Sequence, residues 1–194
     1  MIIQIKRKKC LEKYKIFPQR NYIVDIDDYE YFYPDLFQSY ILTIKSNTYK
    51  KHLKSLGKEL FSILRKINSD SFIFLGDEKL AWRFRDGKYK NYKSGMEYFA
   101  NESIGKNFTG GLVVDKESLI PFVKHLADLI STNGIVQYVH FTNKEQSLLG
   151  SICHYGNIHI SSIDEKSDVK LVNAILSTRF EYLKGECENQ FFDG

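Results

Sequence analysis

Residues 47 to 67 constrain this chain more than any other stretch. Tyr49, Leu53, Leu56, Leu60, Ile63 and Ile67 recur at spacings of 4, 3, 4, 3 and 4. That period winds them onto one stripe of an α-helix, which is stable in water only with the stripe covered. Ser46 or Asn47 is placed to cap its start. The chain must therefore supply a large apolar surface elsewhere, and short β-prone runs are the candidates.

Those runs are residues 71–75 (SFIFL), 80–85 (LAWRFR), 135–142 (IVQYVHFT), 148–155 (LLGSICHY) and 158–163 (IHISSI), with 36–45 alternating less cleanly. In 80–85, Leu80, Trp82 and Phe84 alternate with Ala81, Arg83 and Arg85, which suits a half-buried strand. Asp86-Gly87 predicts a hairpin with KYKNY as its return strand, and Gly156-Asn157 a second tight hairpin. Further helices are expected over 116–131 behind Asp115, over about 168–184 with Val169, Val172, Ile175, Leu176 and Leu183 on one side, and over 95–103. Gly111 to Val114 reads as a short strand feeding the 116–131 helix. Hairpins with helices between them predict an α+β fold, a mainly antiparallel sheet with three to four helices packed on it. At 194 residues, with 43% hydrophobic residues and three prolines, the expectation is one domain over 1–194, with residues 1–35 a candidate N-terminal appendage.

Charge is segregated along the first third. Residues 21–44 hold five carboxylates (Asp25, Asp27, Asp28, Glu30, Asp35), seven aromatics and no Lys, Arg or His. Each flank, 1–20 and 45–67, holds seven Lys/Arg against one Glu. Aromatic area beside concentrated charge is what a surface needs to hold a charged partner. Asp25, Asp27, Asp28, Tyr29, Glu30, Tyr31, Tyr33 and Asp35 are the candidate partner-binding residues. A competing reading lays the ridge of Lys50, Lys54 and Lys58 against this segment and neutralises it within the fold. Three cysteines, Cys10, Cys153 and Cys187, are far apart and odd in number, which fits a reducing, cytoplasmic setting better than a disulfide framework. Without a CxxC pair, a zinc site of the usual spacing is not expected. No apolar run reaches the length of a membrane span.

Catalytic signals are thin. Asp25-Ile26-Asp27 follows Ile23-Val24, and two carboxylates at a strand end share a face. Some metal-dependent transferases present such a pair to magnesium. Gly105-Lys106-Asn107 lacks the rest of a phosphate loop. A two-residue turn at Gly156-Asn157 would pair His154 with His159, with His140 on the preceding strand. Such a trio can bind zinc, but it equally fits solvent-facing positions, because Cys153, Tyr155, Ile158 and Ile160 form the better core face. Cys153 and His154 fall on opposite faces, so they are not expected to pair, and Cys153 reads as a small core residue. No cofactor, metal or catalytic residue is therefore assigned.

A small α+β chain without a catalytic signature, rich in aromatics and with segregated charge, resembles the immunity proteins that bacteria make against their own toxins. That resemblance is to a diverse class and transfers no residue. It implies a protein partner, such as a nuclease toxin domain whose basic active site would meet the carboxylates. Two alternatives remain. A nucleic-acid binder would use the basic segments 6–20 and 50–66, and a metal-dependent enzyme Asp25/Asp27 or His140/His154/His159.

Overall fold

A computed structural model of the chain describes residues 1–85, 90–133, 135, 139–187 and 190–191, and for residues 26, 28, 29 and 91 the backbone alone. It has an α+β fold with a large antiparallel sheet. The strands are β1 (Ile2–Ile5), β2 (Gln19–Ile23), β3 (Asp28–Phe32), β4 (Gln38–Thr43), β5 (Ser71–Leu75), β6 (Gly111–Asp115), β7 (His140–Asn143), β8 (Leu148–Ile152), β9 (Ile158–Ser162) and β10 (Glu181–Tyr182). The helices are α1 (Arg7–Lys13), α2 (Tyr49–Lys66), α3 (Lys93–Asn101), α4 (Lys116–Ser131) and α5 (Glu165–Leu176). Eight strands form one sheet in the order β1-β6-β5-β7-β8-β9-β4-β10, and β2 and β3 pair separately as an arm. Both β6 and β7 pair antiparallel with the intervening β5. They therefore run parallel, and α4 is the crossover between them.

The stripe of α2 is buried as its spacing requires: Leu53, Leu56, Leu60 and Ile63 are almost wholly inaccessible. The cap is Thr48 rather than Ser46 or Asn47, and its side chain accepts from the Lys51 N–H at 3.3 Å. Asp115 caps α4 as expected, accepting from the Ser118 N–H at 3.0 Å. Gly57 marks a close approach of α2 and α4. A Cβ there would stand 2.6 Å from the Ile120 carbonyl oxygen, so only glycine fits without displacement. Helices α2 to α5 share one core with Phe72 and Phe74 of β5, Phe141 of β7 and Ile158 and Ile160 of β9.

The opposite face of the sheet is covered over half its width. Ile73 and Leu75 of β5 pack there against Cys10, Tyr14, Ile16 and Phe17. All five residues of β5 are buried, as a central strand between two layers must be. Residues 1–17 thus contribute an edge strand and a second layer.

Three expectations change. Residues 80–85 are not a strand: the Trp82 N–H donates to the Phe108 carbonyl and the Phe84 N–H to the Ala81 carbonyl, which makes a turn. Of the alternating Leu80, Trp82 and Phe84 only Trp82 is buried, and its indole N–H donates to the Gly110 carbonyl at 2.8 Å. Of the hairpin predicted after it, 86–89 lie outside the described residues and Lys90–Tyr92 is a short 3-10 helix. The last helix starts at Glu165 behind Asp164 and ends at Leu176. Its buried side is Leu171, Ala174 and Ile175, while Val169 and Leu176 face water. The loop after β8 spans Cys153 to Asn157, closed by the Cys153 N–H donating to the Asn157 carbonyl at 3.0 Å. It is not a two-residue turn, and that moves the histidines.

Candidate functional site

The acidic aromatic segment folds as the β2–β3 arm. Its register pairs Arg20 with Tyr31, Asn21 with Glu30 and Tyr22 with Tyr29. Strand alternation splits the arm into two sides. One side anchors it. Arg20 donates to the Asp77 carboxylate at 3.1 Å, and its guanidinium lies over the Tyr31 ring. Asp77 is buried, and its second oxygen accepts from the Lys79 and Leu80 N–H groups. The Tyr31 ring stands 5.5 Å from that of His140, and the Tyr33 hydroxyl lies 3.1 Å from His140 Nε2. Burial, ahead of the Asp77 charge, raises the Tyr31 pKa.

The tip and outer side face water. Val24 is 78% exposed, Phe32 47% and, just beyond the arm, Phe37 52%. Asp25, Asp27, Glu30 and Asp35 are all exposed. The Tyr22 hydroxyl donates to Asp27 across the tip. Asp25 lies in a 3-10 turn, and Asp27 sits in the left-handed region at φ 51°. They are not two alternate positions at a strand end, so the shared-face argument for magnesium does not hold. The side chains of Asp28 and Tyr29 lie outside the described residues.

Helix α2 is on the other face of the sheet, and among the described residues no ion pair joins Lys50, Lys54 or Lys58 to the acidic segment. The basic segment 6–20 is partly committed to structure. Arg7 Nη1 donates to the carbonyls of Gly76, Asp77 and Thr109 at 3.0–3.1 Å. Along α2, Lys51, Lys54 and Lys58 line a groove of about 360 Å³ with Lys45 and Arg179. Lys45 pairs with Glu181 and Arg179 with Glu59.

Beneath the arm lies a cleft of about 470 Å³, with Tyr33, Leu36, Ser39, His140, Ser151 and His159 in its lining. Ser151 pairs with both His140 and His159, so the three side chains share a sheet face. His154 does not join them. It sits in the loop after β8, with Nδ1 3.2 Å from the Ile130 carbonyl at the end of α4. The alternative His140/His154/His159 trio is therefore not assembled, and the expected His154–His159 pairing is corrected to Ser151–His159.

A different grouping forms instead. Cys153, His159 and Cys187 bring their ligand atoms within 4.8 Å of one another. Cys187 Sγ is 3.0 Å from His159 Nε2 and 3.8 Å from Cys153 Sγ. Burial, with the neighbouring Cys187 thiol adding to it, pushes the Cys153 thiol up to about 11. Burial also lowers the His159 pKa, which favours the neutral imidazole. Nothing in the local spacing of 153, 159 and 187 announces the cluster. The one available signal was three cysteines without a motif.

No protein family matches the chain, and no curated protein or solved structure matches it either. Among the described residues, no helix is long and apolar enough to cross a membrane.

Proposed function

We propose that this protein is a non-catalytic binding module that holds a basic protein partner on its β2–β3 arm. One observation carries the reading. The arm is pinned from beneath by Arg20, Tyr31 and Tyr33, yet it presents Val24, Phe32 and the carboxylates of Asp25, Asp27 and Glu30 to water. A fold that already has two apolar cores gains nothing internal from this exposed apolar area. Paired with a partner it supplies desolvated contact, while the carboxylates steer a basic surface onto it. The arm is also held in place before binding, which limits the ordering cost.

A nuclease toxin domain is one partner with the required charge, and its neutralisation is the specific use we infer for the surface. Phe32 and Val24 would be central contacts, with the half-exposed Tyr33 at the rim. Asp25, Asp27, Asp28, Glu30 and Asp35 would act mainly on association rate and salt dependence. Tyr31 serves chiefly to seat the arm.

The test is a photo-crosslinking residue at Phe32, activated in cells of the source organism. The expected product is a single adduct with a basic protein. It should be lost when Asp25, Asp27, Asp28 and Glu30 become Asn or Gln, and kept when Lys50, Lys54 and Lys58 become Gln. Titration of the identified protein should then show an association rate that falls with salt. An adduct unchanged by the acidic substitutions, or lost with the lysines, would reject this surface.

A further inference from the structure

Independently of the arm, we infer that Cys153, His159 and Cys187 form a zinc site that clasps the chain's C-terminal segment to the sheet. Two thiolates and an imidazole are the donor set that selects zinc over magnesium or calcium, which require oxygen. The spacing of the two sulfurs fits before any ion is added. Tetrahedral zinc with Zn–S of about 2.3 Å places two ligand sulfurs about 3.8 Å apart, and Cys153 and Cys187 stand at 3.8 Å. His159 approaches the same pair through Nε2, 3.0 Å from Cys187. A modest opening of that contact admits the ion. Three protein ligands leave the fourth position to water.

Two of the ligands are positioned by structure that does not depend on the third. His159 is fixed in β9 by pairing with Ser151 on one side and Ile41 on the other. Cys153 begins the five-residue loop, which is locked by its own N–H to Asn157 and by the Gly156 N–H to the Cys153 carbonyl. The buried His52 ring of α2 lies 3.0 Å from the Gly156 carbonyl and braces that loop. Cys187 arrives after β10 on a segment that already lies across the sheet edge, where Gln190 donates to Thr43 Oγ1 at 2.6 Å and the Phe191 ring stands 5.2 Å from that of His52. The ion would thus join a preformed pair of ligands to a third carried on the C-terminal segment. Binding converts two thiols to thiolates: one Zn²⁺ enters and two protons leave to solvent.

The experiment uses the tag-free, full-length protein kept reduced and free of oxygen, with Zn²⁺ and Co²⁺ as probes. One equivalent of Co²⁺ should give tetrahedral visible absorption and a thiolate-to-metal charge-transfer band, and Zn²⁺ should bleach both. Zinc should shield Cys153 and Cys187 from alkylation in the wild-type protein, a readout that needs no variant to fold. Cys187→Ser and His159→Ala should each weaken binding by more than about 100-fold, beyond what loss of an outer partner costs. Cys10→Ser and His140→Ala should leave it unchanged. Cobalt bound without a thiolate band, equal alkylation of Cys187 with and without zinc, or undiminished binding by Cys187→Ser would each overturn the site.

Discussion

Gly57→Ala sets two effects of opposite sign against each other, and the structure decides between them. In an isolated helix the change stabilises by up to about 1 kcal/mol, because alanine loses less backbone entropy. Here the added methyl would meet the Ile120 carbonyl oxygen at 2.6 Å, its Cα at 3.0 Å and its carbonyl carbon at 3.2 Å. All three are backbone atoms, so no side-chain rotation relieves the contact. Pro121 follows within α4 and stiffens that stretch. The helices must instead separate, loosening the contacts of Leu53, Leu60 and Phe122, which are buried in the same core. Overpacking costs about 1–3 kcal/mol, and three backbone contacts this short place the cost at the upper end, about 2–3 kcal/mol. The net expectation is a destabilisation of about 1–2 kcal/mol, or a Tm lower by about 2–8 °C for a chain of this size. Urea unfolding should show a lower midpoint with an unchanged slope. Lys58→Ala, at the exposed neighbouring position, controls for propensity and should shift the midpoint little. A Gly57→Ala protein as stable as wild type, or more so, would refute the close approach of α2 and α4.

Leu60→Ala, at a site with no exposure, should cost about 2–5 kcal/mol in urea unfolding. Replacing Asp25, Asp27, Asp28 and Glu30 with Asn or Gln should leave the melting temperature nearly unchanged, since Asp25, Asp27 and Glu30 are exposed and support no described ion pair; a large drop would revive internal neutralisation. Asp164 accepts from the Ser167 N–H at 2.7 Å, and that bond holds its carboxyl below the ordinary 3.8. A depressed carboxyl pKa stabilises the fold above 3.8 and ceases to do so as pH falls through the folded value. Asp164→Ala should therefore melt below wild type near neutrality, with the gap closing below pH 3.8; a gap independent of pH would show that the charge is irrelevant to the cap. Trp82→Phe removes the indole donor from the Gly110 carbonyl and should cost about 1–3 kcal/mol, measured by the same unfolding.

The α+β class and the antiparallel sheet were legible because they rest on periodicity summed over many residues. α2 spans five turns and α4 carries its cap in Asp115, so errors at single positions average out. The failures are places where one residue decides. The alternation of Leu80, Trp82 and Phe84 made 80–85 look like a strand, but of the three only Trp82 is buried. At the loop after β8, Gly156-Asn157 resembled a two-residue turn, but Asn157 is buried and its carbonyl closes a longer loop back to Cys153. Changing the loop length changes the register, and register decides which side chains meet. His154 was thereby sent to the α4 side, and Ser151 took its place opposite His159. The Cys153–His159–Cys187 grouping was beyond reach for a related reason. It depends on where the segment after β10 returns to the sheet, a nonlocal fact that no spacing encodes.

The two candidate sites have a common physical origin in the uneven second face of the sheet. Strands β5 and β6 present Ile73, Leu75 and Val113 there, and the first 17 residues cover them. Past β7 the same face becomes mixed: Ser151 on β8, His159 and Ser161 on β9 and Ser39 on β4 stand among Leu149 and Ile41. An apolar layer cannot be laid over those groups without orphaning them, so the covering stops and the cleft opens. Chain that crosses the open half must be held by polar contacts instead. The arm does this with Tyr33 on His140 and Arg20 on Asp77, and the C-terminal segment does it with Gln190 on Thr43 and Cys187 beside His159. Both segments consequently carry polar or charged side chains over the open half of the sheet. The arm keeps carboxylates and aromatics, which suit a basic protein, and the C-terminal segment keeps a thiol, which suits zinc. Since the arm and the clasp bear on different side chains, removing zinc should leave partner capture by the arm intact, and neutralising the arm should leave the cobalt spectrum unchanged.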